Sequence, residues 1–200
     1  MTKVRKQLHR GARATNSANL EIIPFDAIVS GMSPAFEQIE TILTNTSELS
    51  TALHETLRLV LADFHSETGT IHRLDDAEQL LHLSAQIGLP PQMLEVIKTI
   101  PVGKGIAGQA AAQNKPITLC NLQTDASGVA KPGARQTGVG GALCVPVRKN
   151  GKIVGTLGIG TMRPHEYTPE ETRRLEAVAN LIASRLASGS QAKTTGTNIS

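Results

Sequence analysis

Cys120 and Cys144 are the only thiols in the chain, too few for a disulfide framework. A pattern with chemical content is Gly103-Lys104-Gly105-Ile106-Ala107-Gly108, with Asp125 about 20 residues further on, near the spacing of a dinucleotide fingerprint. That fingerprint needs a buried strand before its first glycine and a long crossover helix after it. Here Pro91 to Thr99 reads as a helix, and Asn114-Lys115-Pro116 stops the next helix after about two turns, so nucleotide binding is rejected. His54, His65, His72, His82 and His165 show no metal-ligand spacing, and no nucleophile elbow is present. Neither a metal centre nor a hydrolase is predicted.

What remains is a set of groups suited to holding a small molecule. Gly103, Gly105 and Gly108 allow close backbone approach, and Ala107, Ala110, Ala111 and Ala112 let a short helix lie tightly on whatever it covers, which makes Ile106 and Ala107 candidates for a pocket roof. His72, Ser84 and Gln86 can hydrogen-bond a ligand if their strand faces point inward; otherwise they are ordinary polar surface. Arg135, the only arginine of the long loop between Cys120 and Gly141, can hold an anion or simply be solvated.

The elements that would position these groups follow from periodicity. Phe36, Ile39 and Leu43, then Leu49, Leu53, Leu57, Val60 and Phe64, recur at helical spacing and predict two helices broken near Asn45-Thr46-Ser47, with Ser47 or Ser50 as the second cap. The first helix, Pro34 to about Asn45, is equally suited to the core or to pairing with a second copy. GTIHRL (69–74) and QLLHLSAQI (79–87) flank an acidic turn and predict a hairpin. Alternation places Thr70, His72 and Leu74 on one face, and Leu81, Leu83, Ala85 and Ile87 together on one face of the partner strand. A helix from Gln92 to Ile100 leads into the glycine-rich stretch, and a short strand follows from Ile117 to Leu119. Residues 142–147 and 153–160 form the clearest hairpin, turned at Asn150-Gly151; Val154, Thr156, Gly158 and Gly160 give one face of it little bulk, room for a ligand or for a packed helix. Thr168-Pro169-Glu170-Glu171 opens a last helix with a capping threonine and a proline in the first turn.

Two hundred residues at 40% hydrophobic suit one well-buried domain. No apolar run reaches the roughly 18 to 20 residues of a membrane span, no secretory core is visible at the N-terminus, and two cysteines fit a reducing compartment, so a cytoplasmic protein is expected. The net charge of +3 is misleading: Lys3, Arg5, Lys6, Arg10 and Arg13 precede the first acid, leaving 15 basic against 17 acidic residues from Glu21 onward. The basicity belongs to a leader, 1–31, expected to be mobile. Without interleaved aromatics it gives little reason to predict nucleic-acid binding. Residues 188–200 are low-complexity and read as a disordered tail.

From about Leu49 to Leu186 the succession GTIHRL, GKGIAGQAAAQNKPI, LCVPVRKNGKIVGTLGIG and YTPEETRRLEAVANLIASRL resembles the GAF domain family. The resemblance implies an α+β fold over 32–187: an antiparallel sheet with the N- and C-terminal helices on one face and a lidded pocket on the other, the lid coming from the Ile106 helix and the Asn121 to Gly140 loop. Cys144, Thr156 and Gly158 then join His72, Ser84, Gln86, Ile106, Ala107 and Arg135 as ligand-binding candidates. The implied role is sensory, with a small molecule biasing terminal helices that signal to a dimer partner or a separate output protein. Two other readings stay open. One is a ligand-free dimerisation or interaction module. The other is a thiol-dependent reductase of free methionine sulfoxide, for which the resemblance implies Cys120 and Cys144 as nucleophile and resolving thiol; those family members carry a reactive cysteine in the loop before the strand matching 142–147, whereas residues 128–141 contain none and Cys144 lies within the strand. Bilin attachment is disfavoured because Cys120 is followed by Asn121 rather than histidine.

Overall fold

The three long helices begin and end where local chemistry dictates. Helix α1 (Pro34–Asn45) starts on its proline, as the sequence predicts. Helix α2 (Leu49–Asp63) is capped by Glu48 rather than by a serine: its carboxylate accepts from the backbone N–H groups of Ser50 and Thr51. A side chain one methylene longer than aspartate still reaches the free amides of the first turn. Helix α5 (Pro169–Ser188) opens with a reciprocal cap, in which Glu171 N–H donates to Thr168 Oγ1 at 3.1 Å and Thr168 N–H donates to Glu171 Oε2 at 2.7 Å. It continues through Ser188, one residue into the segment expected to be tail.

The computed structural model describes residues 34–124 and 138–188. The basic leader, the tail beyond Ser188, Arg135 and most of the loop expected to act as a lid lie outside these residues. Strands β1 (Thr68–Asp75), β2 (Leu80–Ile87), β3 (Thr99–Pro101), β4 (Ile117–Leu119), β5 (Ala142–Lys149) and β6 (Lys152–Gly160) form one antiparallel sheet in the order β3-β2-β1-β6-β5-β4. Between them lie the short helices α3 (Pro91–Ile97) and α4 (Gly105–Gln113). The β5–β6 hairpin turns through Asn150 and Gly151, both at positive φ (52° and 76°), the two-residue turn that their sequence signals.

Alternation sorts the sheet into two faces. Ile71, Leu143, Val145, Val147, Leu157 and Ile159 point to one side and pack with Ile39 of α1, Leu53 and Leu57 of α2, and Val178, Ile182 and Leu186 of α5. Gly69 lies on this side because a Cβ there would fall 2.8 Å from Leu57 Cδ1. The stripe of α1, equally suited to core or dimer in the sequence, is buried in the chain's own core at Phe36, Ile39 and Leu43. No helix among the described residues is long and apolar enough to cross a membrane.

Two sequence expectations fail in β2 and its neighbour. The pairing steps from Ile71↔Ala85 to His72↔Leu83, so Ser84 is an extra residue that reverses the alternation of β2. Ala85 and Ile87 join the helical core, whereas Leu81 and Leu83 pair with Leu74 and His72 on the opposite face. Thr99 and Ile100, expected to finish a helix, instead pair, with Pro101, against His82 to Leu80 as edge strand β3.

Candidate functional site: a roofed cavity on the sheet

The sheet face away from the long helices carries Thr68, Thr70 and His72 from β1, Ala142 and Cys144 from β5, and Thr156, Gly158 and Gly160 from β6. Cross-strand pairing sets them side by side: Thr70 lies opposite Gly158, and Gly158 opposite Cys144. The two glycines leave the centre of this face without side chains. Above it a cavity of about 380 Å³ opens, within the usual range of small-molecule pockets.

Helix α4 forms the roof through Ile106 and Ala107. It sits close because its contact residues are small: a Cβ on Gly108 would lie 2.4 Å from the Pro101 carbonyl oxygen, and Ala110 and Ala111 are buried beside it. Gly103, at φ 83°, makes the turn into the helix and donates its N–H to Gly108 O at 2.8 Å. Helix α3 supplies a side wall of Met93, Val96 and Ile97, and Leu122 and Val139 close the end beside α4. Lys104, exposed at the rim, is the only Lys, Arg, Asp or Glu among the described lining residues.

The buried polar groups are neutral. His72 is 1% exposed, and its Nε2 lies 3.0 Å from the carbonyl oxygen of Ile97. A carbonyl can only accept, so Nε2 carries the proton and Nδ1 is left an acceptor without a hydrogen-bond partner among the described residues. Burial lowers the His72 pKa to about 4, overcoming the Ile97 carbonyl, which favours the charged ring; His82 adds a smaller repulsion. Burial likewise pushes the Cys144 thiol up to about 12, with the Thr156 hydroxyl opposing it. The Thr70 hydroxyl is half-buried, faces the gap over Gly158 and has no hydrogen-bond partner among the described residues.

Of the nine residues picked from the sequence, His72, Ile106, Ala107, Cys144 and Gly158 line the cavity. Thr156 is fully buried in the sheet between His72 and Pro146 and does not line the cavity. Ser84 is the bulge residue of β2, and the Gln86 side chain accepts from Leu89 N–H at 3.4 Å; neither lines the cavity. The sequence reading passed over the α3 wall. Met93 and Ile97 were visible as a helical stripe, but what they cover depends on where β3 anchors the end of that helix.

The cysteines are not arranged as a redox pair. Ile117 pairs with Cys144, and Cys120 lies three residues further along, about 10 Å at strand rise, beyond the Cα separation a disulfide spans. Among the described residues Asp75, Glu78 and His82 bring potential metal-ligand atoms within 4.8 Å of one another, at the β1–β2 hairpin rather than in the cavity lining. Asp75 Oδ1 there already accepts from the N–H groups of Ala77 and Glu78.

A family model for the GAF domain matches residues 46–187, and the chain belongs to the GAF domain family. Among solved structures, the GAF domain of an Acinetobacter phosphoenolpyruvate-protein phosphotransferase superposes with a TM-score of 0.69 at 19% identity, covering 82% of this chain and 100% of that one. The corresponding domain from Coxiella burnetii gives 0.67 at 20% identity, over 79% and 97%. A free methionine-R-sulfoxide reductase from Neisseria meningitidis, solved with its substrate, gives 0.63 at 17% identity, over 79% and 89%. At such identities these likenesses establish the fold alone. Comparison with curated proteins finds no match.

Proposed function

We propose that this GAF domain is a small-molecule receptor whose ligand is compact, largely apolar and carries at most a few hydrogen-bonding atoms. The observation that carries the reading is the cavity itself: about 380 Å³ of space preformed over Gly158, walled by apolar side chains and not filled by them. The Thr70 hydroxyl supplies one free polar contact on its floor. The ligand acts by favouring one arrangement of roof and helices over another, since equal affinity for both would shift nothing. The output passes to a second copy of the chain or to a separate protein, in the cytoplasm, with the 1–31 leader and the 188–200 segment as appendages to the 32–187 domain.

Native mass spectrometry of freshly purified full-length protein tests this. The expected result is an organic adduct released on denaturation, together with a raised melting temperature in millimolar indole or toluene. No adduct and no shift with either probe would overturn it.

The likeness to methionine sulfoxide reductases motivates a second reading, reduction of free methionine sulfoxide. A thiol near pKa 12 has almost no thiolate at neutral pH, and Cys120, just past the end of β4, stands too far from Cys144 to resolve an intermediate on it. Receptor function is therefore favoured. The expected outcome is no consumption of methionine sulfoxide with dithiothreitol; turnover abolished by Cys144→Ser or Cys120→Ser would reverse the assignment.

A further inference from the structure

Strand β4 is only three residues long. Its first residue, Ile117, lies opposite Cys144, so from Val145 to Lys149 that edge of β5 has no strand beside it among the described residues. The guanidinium of Arg148 lies at this vacant edge and bonds in two directions. Nε donates to Asn114 Oδ1 at 2.7 Å and an Nη donates to Asn114 O at 2.8 Å, while the other Nη donates to Glu176 Oε1 at 3.2 Å. Asn114 is the left-handed C-cap of α4, the roof of the cavity. Glu176 belongs to α5, which packs on the opposite face of the sheet. A single half-buried side chain thus joins the roof to the long C-terminal helix around the sheet edge.

We propose that Arg148 is the coupling residue between cavity and output: displacement of α4 by a ligand changes how Arg148 is held and so biases α5, and a change in α5 feeds back on the roof. The planar fork of arginine suits this role because its donors are fixed relative to one another, so a shift in one partner is transmitted to the other. What the ligand does in this scheme rests on the receptor reading above; the coupling itself is present without ligand.

Amide hydrogen exchange on the full-length apo protein tests it. Because coupling is reciprocal, a change on either face must be felt on the other. Glu176→Gln, made on α5, is expected to speed exchange of the Gln109 to Gln113 amides of α4 about fivefold or more, and Asn114→Gly to do the same to α5 amides around Glu176. Glycine accepts the left-handed φ of 50° at position 114, so the cap survives while its side-chain acceptor is lost. The double variant Arg148→Met/Glu176→Gln should exchange no faster at α4 than Arg148→Met alone, with Ile159 in the central sheet unchanged as a check on global stability. If Glu176→Gln leaves α4 untouched, or Asn114→Gly leaves α5 untouched, Arg148 merely caps α4 and the proposal falls, whether or not indole or toluene binds. Absence of probe binding with reciprocal exchange effects would overturn the receptor reading alone.

Discussion

At Gly158 an added Cβ would sit 3.2 Å from the Thr70 hydroxyl and 3.6 Å from the Cys144 sulfur, with only side-chain atoms as near neighbours. A larger residue there has somewhere to go, namely the cavity. Gly158→Leu is therefore expected to fold, shift the melting temperature by only a few degrees, and abolish the thermal shift given by indole or toluene. Gly155, three residues back along the same strand, makes the contrast: its Cβ would fall 2.1 Å from the His72 carbonyl oxygen, and backbone cannot step aside. Gly155→Ala should cost about 2 to 3 kcal/mol in chemical denaturation with no special effect on probe binding. His72 adds a pH signature. Its pKa falls from 6.5 to about 4 on folding, so between these values the unfolded chain holds more protons. Stability from this group is complete above pH 6.5 and is lost as pH falls toward 4, by up to about 3 kcal/mol. Glu48 and Glu171, whose pKa values are lowered from 4.5, act mainly below that window. Denaturation midpoints measured from pH 7 to 4.5 should fall in the wild type and flatten in His72→Phe; an unchanged slope in the variant would assign the effect elsewhere.

At the scale of elements, what was legible in the sequence was whatever local chemistry decides. Asn150-Gly151 fixed a hairpin, Thr168-Pro169 with Glu171 fixed a helix start, and apolar residues recurring at spacings of three and four fixed α1 and α2, each within a residue or two. Thr168→Ala accordingly should destabilise by about 1 to 2 kcal/mol, with fraying confined to the first turn of α5 when followed by hydrogen exchange. The failures share a different cause. Strand β3 is three residues that pair with a segment nearly twenty positions earlier, and no periodicity can show that. The bulge at Ser84 has no distinctive side chain, yet it transfers Leu81 and Leu83 to the opposite face, and with it the notion that Ser84 and Gln86 point at a ligand is lost. The roof was recognisable from Gly108 and its alanines because close packing demands small residues wherever it occurs. The wall formed by α3 was not, because Met93 and Ile97 fit any apolar surroundings.

In the domain as a whole, the helical side is tied together by arginines of α5. Arg174 pairs with Asp63 and lies 4.9 Å over the ring of Phe64, fastening α2. Arg185 donates to the carbonyl oxygens of Leu43 and Thr46 at 2.8 Å and of Ser47 at 3.1 Å, closing the C-terminal end of α1, whose last carbonyls would otherwise lack partners. These contacts join α1 to α5 directly, away from the cavity lining. Arg185→Met tests the join. It keeps the apolar stem but leaves those carbonyls unpaired, which should cost about 1 to 3 kcal/mol. Exchange of α1 amides should rise well before those of β1 and β6, and thermal shifts by indole or toluene should stay within experimental reproducibility of wild type. Equal acceleration in β6 would mean instead that α1 and the sheet open as one unit, and the helix could not then carry a signal distinct from unfolding of the domain.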